Sequence, residues 1–141
     1  VFYYIDINPE VREWKIPQMI IHTIIENEYK YAVNINQMLT ILIKASKADV
    51  NGEEMLYVEV EDDGAGYPKE VLQFFENQEN TISKTGERVG LKSVKRMMEL
   101  MYEREGLFTI SNIEPHGCKN TFRIPAHAVQ EMKEQKQIKM D

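Results

Sequence analysis

The sequence has only one cysteine in its 141 residues, Cys118, so no disulfide can form within it. A reducing compartment is the expected surrounding, and a lone thiol reads first as a packed or surface side chain. Positive charge is also in deficit: 17 Lys and Arg stand against 23 Asp and Glu, a net charge of −6. That balance excludes a protein that wraps DNA or RNA, and leaves room only for local cations holding a few phosphates. Long apolar runs are missing. The longest, Ile16 to Ile25, is interrupted by Pro17, Gln18, His22 and Thr23 and falls short of the roughly 20 residues a bilayer needs. No direct membrane contact is therefore expected of this chain. No signal-peptide pattern opens it. It begins at Val1 rather than Met, which predicts a piece excised from something longer. Internal repeats and Pro/Gly/Ser-rich linkers are absent, as is a G-x-x-x-x-G-K-S/T phosphate loop.

What remains is ordinary globular material, 43% hydrophobic and 28% charged, of a length that suits one domain. Val1–Ile7 alternates weakly and ends at Asn8-Pro9, which predicts a short strand. Pro17 suits the first turn of a helix running to about Val33. Gln37–Lys47 and Met55–Asp62 read as a hairpin around Asn51-Gly52. A short helix follows Pro68 to about Asn77, and the polar stretch Gln78 to Arg88 reads as a mobile loop. Leu91, Val94, Met98 and Met101 recur at helical spacing after Gly90. Leu107–Ile113 and Asn120–Pro125 form a second hairpin around Pro115-His116-Gly117. The expected architecture is a two-layer α/β sandwich. Its mixed, mainly antiparallel sheet has about five strands, with about three helices on one face. Residues 1–125 make the domain, and 126–141 a charged, frayed tail.

Three places break the pattern. Ile20, Ile24, Asn27 and Tyr31 share one helical face, so the Asn27 amide lies at or beside a core-facing stripe. Glu26 and Lys30 sit one turn apart on the adjoining face. A structural amide beside a surface ion pair explains this; so does a carbonyl ligand for Mg²⁺ beside a phosphate-binding Lys. In the second place, Leu56, Val58 and Val60 alternate with Tyr57, Glu59 and Glu61, which turns Asp62 inward and Asp63 outward. A carboxylate buried there needs a donor, supplied either by its own turn or by an adenine amine approaching the glycines of Asp62-Asp63-Gly64-Ala65-Gly66. Calcium-loop and dinucleotide-loop readings fail, because Gly64 and Gly66 take ligand positions and Lys69 stands where a third Gly belongs. In the third, Gly86-Glu-Arg-Val-Gly-Leu-Lys-Ser-Val94 opens a helix. Free N–H groups and the positive dipole end there suit phosphates, with Lys84, Arg88 and Lys92 nearby; a solvated loop is the plainer alternative.

Taken in order, Ile16-Pro17 leading to Glu26-Asn27-x-x-Lys30-Tyr31 resembles the N box of the GHKL ATPases, the superfamily of gyrase, HSP90, histidine kinases and MutL. Asp62-x-Gly64-x-Gly66 resembles its first glycine box, and Val89-Gly90-Leu91-Lys92-Ser93-Val94 its second. The likeness covers roughly Tyr3 to Pro125 and is nearest in pattern to the LytS/YesM-like sensor histidine kinases. It implies the Bergerat fold, with ATP and Mg²⁺ as cofactors. Asn27 would hold Mg²⁺, Glu26 would assist proton removal from the phosphate acceptor, and Lys30 would contact phosphate. Asp62 would read the adenine amine with the Thr121 hydroxyl helping, while Gly64 and Gly66 shape the adenine pocket. Gly90 and Leu91 would lie at the phosphate end. Tyr31 replaces the usual His, Arg88 replaces the first glycine of the second box, and Ser93 replaces an Asn. Asn120-Thr121 stands where a Gly-Thr pair is usual.

The implied activity is donation of the ATP γ-phosphate to a histidine on a separate dimerisation domain of the same parent. A response regulator would act downstream, on the cytoplasmic side of an inner-membrane sensor. His22 sits among core-type neighbours, and His116 and His127 have no supporting context, so the chain itself lacks the acceptor. Arg88 and Asn120 motivate an alternative, a degenerate nucleotide-binding or protein-interaction module. An anti-sigma-like serine kinase is a third reading.

Overall fold

The computed structural model describes residues 1–34, 36, 38–76, 89–126 and 138–139. Apolar alternation sets which way each strand faces. In β1 (Phe2–Ile7) the side chains are largely exposed, whereas Ile41, Ile43 and Ala45 of β3 (Thr40–Val50) turn inward. So do Leu56, Val58 and Val60 of β4 (Glu53–Asp62). Asn51 and Gly52, with φ of 53° and 83°, close a two-residue turn of the kind whose twist matches that of its strands. The hairpin is the predicted one, with β3 running on to Val50 and β4 starting at Glu53. A second hairpin pairs β5 (Phe108–Asn112) with β6 (Cys118–Pro125).

The sheet order is β1-β3-β4-β6-β5. β1 runs parallel to β3, and every other neighbour is antiparallel. Parallel neighbours need a crossover, which α1 (Gln18–Asn34) provides. It begins just after Pro17, as the sequence predicts. The short helix α2 (Lys69–Glu76) and α3 (Val89–Tyr102) complete the second layer. Ile20, Ile24, Phe75, Leu91, Val94 and Met98 bring the helices' apolar faces onto one side of the sheet. Each such buried aliphatic side chain contributes about 1.5–3 kcal/mol. The result is the expected two-layer α/β sandwich with an open, mixed, five-stranded sheet.

Two short pieces lie outside that plan. Pro9–Val11 forms a 3-10 turn capped by the Asn8 side chain. Lys15–Ile16 (β2) pairs antiparallel with Ile138–Lys139 (β7), which sets part of the tail against the entrance of α1. The expected loop over residues 78–88, Arg88 included, lies outside the described residues.

The helix stripe departs in phase from the sequence reading. Among the described side chains of α1, the buried positions are Ile20, Ile24, Glu28 and Ala32, at steps of four. Asn27 and Tyr31 are half-buried at the margin of that stripe. A carboxylate, Glu28, thus takes the core position, and the Asn27 amide lies beside the stripe.

Candidate functional site

The inward turn of Asp62 places a carboxylate at the end of β4 with 5% of its surface exposed. Its Oδ1 accepts the backbone N–H of Gly64 at 2.9 Å and that of Cys118 at 3.3 Å. Its Oδ2 lies 2.6 Å from Cys118 Sγ. These donors offset part of the cost of burying the group. Asp63 points outward as alternation predicts, and its Oδ1 accepts the Thr40 N–H at 2.9 Å, tying the loop to β3.

Backbone packs tightly on backbone beside Asp62. Gly117 has φ +119°, and a Cβ there would stand 2.3 Å from the Asp62 carbonyl oxygen, a position that only glycine fills. Gly66, at φ +92°, brings the chain to Tyr67. There Asn112 clamps the turn: its Oδ1 accepts the Tyr67 N–H at 2.6 Å and its Nδ2 donates to the Tyr67 carbonyl at 3.0 Å. A Cβ at Gly64 would meet Leu39 Cδ2 at 3.1 Å and the Tyr31 ring at 3.6 Å. Tyr31 of α1 and the glycine loop therefore border the same space.

On α1, Lys30 Nζ and Glu26 Oε1 are 2.9 Å apart, and His22 Nε2 lies 3.7 Å from Glu26 Oε2. The hydrogen bond and charge of Lys30 hold the Glu26 carboxyl below its ordinary pKa of 4.5. It is ionised at neutral pH. His22 is 65% exposed at its side chain, so its expected place among core-type neighbours is corrected. The period of the helix turns it outward with Glu26. Asn27 Nδ2 is buried with no hydrogen-bond partner among the described residues. Gly90, in the first turn of α3, packs directly on that amide: a Cβ there would lie 2.8 Å from Nδ2 and 3.0 Å from Oδ1. Leu91 sends its side chain into the core, leaving its backbone in the turn whose N–H groups lack intrahelical partners. The unpartnered atom is an N–H donor; an oxygen-preferring Mg²⁺ would take the other end of the amide, Oδ1.

Sequence reasoning missed the residues that complete the Asp62 end. Glu28 is 1% exposed. One ligand-type atom from each of Glu28, Asp62 and Cys118 lies within 4.8 Å of the other two. Asn120, fully buried, donates from Nδ2 to Glu28 Oε1 at 3.4 Å and to the Val60 carbonyl at 3.1 Å. Its Oδ1 accepts the Tyr67 hydroxyl. Thr121 is not in this cluster. In register it faces Glu59 and Thr109, on the side of the sheet turned away from the helices. The residue paired in register with Asp62 is Cys118 rather than Thr121. Counting by steps of four from Ile20 leads to Glu28, and glycine followed by a small residue at Gly117-Cys118 marks the strand entry. Those were the available signals.

Residues 15–128 match the family described as histidine kinase-, DNA gyrase B- and HSP90-like ATPases. The chain is similar to the sensor protein LytS of Enterococcus faecalis, 28% identical over 123 residues that make up 85% of this chain and 20% of that relative. It thus spans about a fifth of the relative's length. Among solved structures it is similar to the nucleotide-free catalytic domain of histidine kinase ThkA. There the identity is 19% and the TM-score 0.60, over 88% of this chain and 79% of that one. The histidine kinase domain of the Escherichia coli osmosensor EnvZ gives 21% and 0.56, over 87% and 74% of the two chains. Full-length ShkA in complex with AMPPNP gives 20% and 0.54, over 88% and 25%. At these identities the structural likeness establishes the fold: a histidine kinase catalytic domain sandwich.

Proposed function

Because the chain belongs to the family of histidine kinase-, DNA gyrase B- and HSP90-like ATPases, we propose that it is the ATP-binding catalytic domain of a two-component sensor histidine kinase. Residues 1–125 form that domain and 126–141 its tail. It sits on the cytoplasmic side of a membrane sensor. The observation that carries this reading is the meeting of the two predicted motifs. Asp62 and its glycine loop border Tyr31 on α1, four residues beyond the Asn27 amide that packs on Gly90.

In this reading Asp62 accepts the exocyclic amine of adenine, with Cys118 beside it, and Gly64 and Gly66 let the base approach. The first-turn N–H groups around Gly90 and Leu91 face the phosphates, joined by Lys30 and Arg88. Asn27 holds Mg²⁺, which neutralises phosphate charge when bound. Glu26 orients the acceptor imidazole and takes its proton. A nitrogen of that imidazole bonds to the γ-phosphorus as the bond to the bridging oxygen breaks, and ADP leaves. Positioning and charge stabilisation supply most of the acceleration in such transfers. The acceptor is a histidine of the dimerisation domain, and a response regulator takes the phosphoryl group from it.

The test is ATP binding by calorimetry with and without Mg²⁺, followed by transfer to a histidine-bearing dimerisation domain supplied in trans. ATP binding strengthened by Mg²⁺, with transfer, supports the proposal; affinity unchanged by Asp62→Ala overturns it. A second reading, binding without turnover, is favoured by the polar residues packed around Asp62. Nucleotide binding with no transfer to a competent partner would select it.

A further inference from the structure

Among the described residues, Glu28 is the buried carboxylate with no part in the proposed phosphoryl transfer. It stands on the core stripe of α1, and one of its oxygens lies within 4.8 Å of an Asp62 oxygen. Its orientation is fixed from the sheet side. Asn120 Nδ2 donates to Oε1 at 3.4 Å, and Asn120 is itself held by the Val60 carbonyl and the Tyr67 hydroxyl. Such a chain of buried hydrogen bonds aims a side chain rather than merely accommodating it.

Two carboxylate oxygens no more than 4.8 Å apart are close enough to serve one amine. An sp² amine carries two N–H bonds diverging by about 120°. With each N···O near 2.9 Å, its two acceptors stand about 5 Å apart. A carbonyl oxygen in the amine's place would instead face two acceptors, with the neighbouring Cys118 thiol and Asn120 amide already committed to them, a mismatch that buried polar sites reject strongly. We propose that Glu28 is a specificity-determining residue of the nucleotide site, taking the second N–H of the exocyclic amine whose first goes to Asp62. It thereby selects adenine over 6-oxopurines. The inference rests on the reading that Asp62 faces the base.

The test compares ATP with inosine triphosphate, which carries an oxygen at C6 and a proton at N1. Dissociation constants for both are measured on the wild-type chain, Glu28→Gln and Glu28→Ala, with thermal melting run on each variant. The wild type is expected to prefer ATP, and the preference to fall by about tenfold or more in both variants. Gln retains the volume, so it preserves the fold if Ala does not, and its amide donates to the 6-oxo group. Equal weakening of both nucleotides, with the ratio unchanged, would assign Glu28 a packing role and overturn the inference. A wild type that binds ATP without preferring it overturns the inference alone. A wild type that binds neither nucleotide overturns the nucleotide reading and the inference together.

Discussion

Two chemistries lie back to back on β4 and β6. On the face turned from the helices, Lys119 reaches Glu59 at 3.2 Å and Glu61 at 3.8 Å, and Lys44 reaches Glu61 at 3.3 Å. All of these side chains keep contact with solvent, and such pairs contribute about 0–1 kcal/mol each. On the helix face, Asp62, Cys118 and Asn120 join Glu28 with no more than 5% exposure. There each polar atom must be matched or it destabilises the fold. Well-packed apolar residues would commonly serve stability as well or better. The outer ladder is what a solvated sheet face requires, whereas the inner cluster has the character of a binding site, the role proposed for it above.

Substitutions should separate the faces sharply. The largest effect is expected at Gly117→Ala, where a Cβ would stand 2.3 Å from a backbone oxygen at positive φ. A loss of about 3 kcal/mol or more is expected in urea unfolding, and a loss below 1 kcal/mol would show that the loop yields freely. Asn120→Leu removes the amide linking Tyr67, Val60 and Glu28. It should cost about 1–3 kcal/mol by the same measurement. Glu59→Gln on the outer face should change stability by less than about 1 kcal/mol, and by less again in high salt. An outer substitution as damaging as the inner one would erase the contrast.

The pH dependence is smaller still and separates the ion pairs by sign. Lys119 is raised above its ordinary 10.5, chiefly by its hydrogen bond to Glu59. Its contribution is therefore full below 10.5 and is lost as pH rises through the higher folded value. Glu26 is lowered below 4.5 by Lys30, so its contribution is full above 4.5 and is lost as pH falls through the lower folded value. Carboxyl titration by NMR should show Glu26 moving up toward 4.5 in Lys30→Met, and no movement would contradict the ion pair.

Local periodicity made half of the site legible. Alternation along β4 is enough to turn Asp62 in and Asp63 out, and helical spacing brings Asn27 near the core. What it missed depends on partners distant in sequence. A Glu on the core stripe of α1 is understandable only beside Asn120, 92 positions away. The face of Thr121 depends on where β6 enters the sheet, and a wrong entry point reverses every assignment on a strand. Cys118 read as an isolated thiol because nothing local shows that it pairs with Asp62.

The central claim is that the base is read on the helix face at Asp62 and not from the outer side of the sheet. Calorimetric titration of ATP·Mg²⁺ into the wild type, Asp62→Ala and Thr121→Val tests it most directly. A loss of about tenfold or more in Asp62→Ala, with Thr121→Val within about twofold of wild type, is predicted. Undiminished affinity in Asp62→Ala, or an equal loss in Thr121→Val, would contradict it.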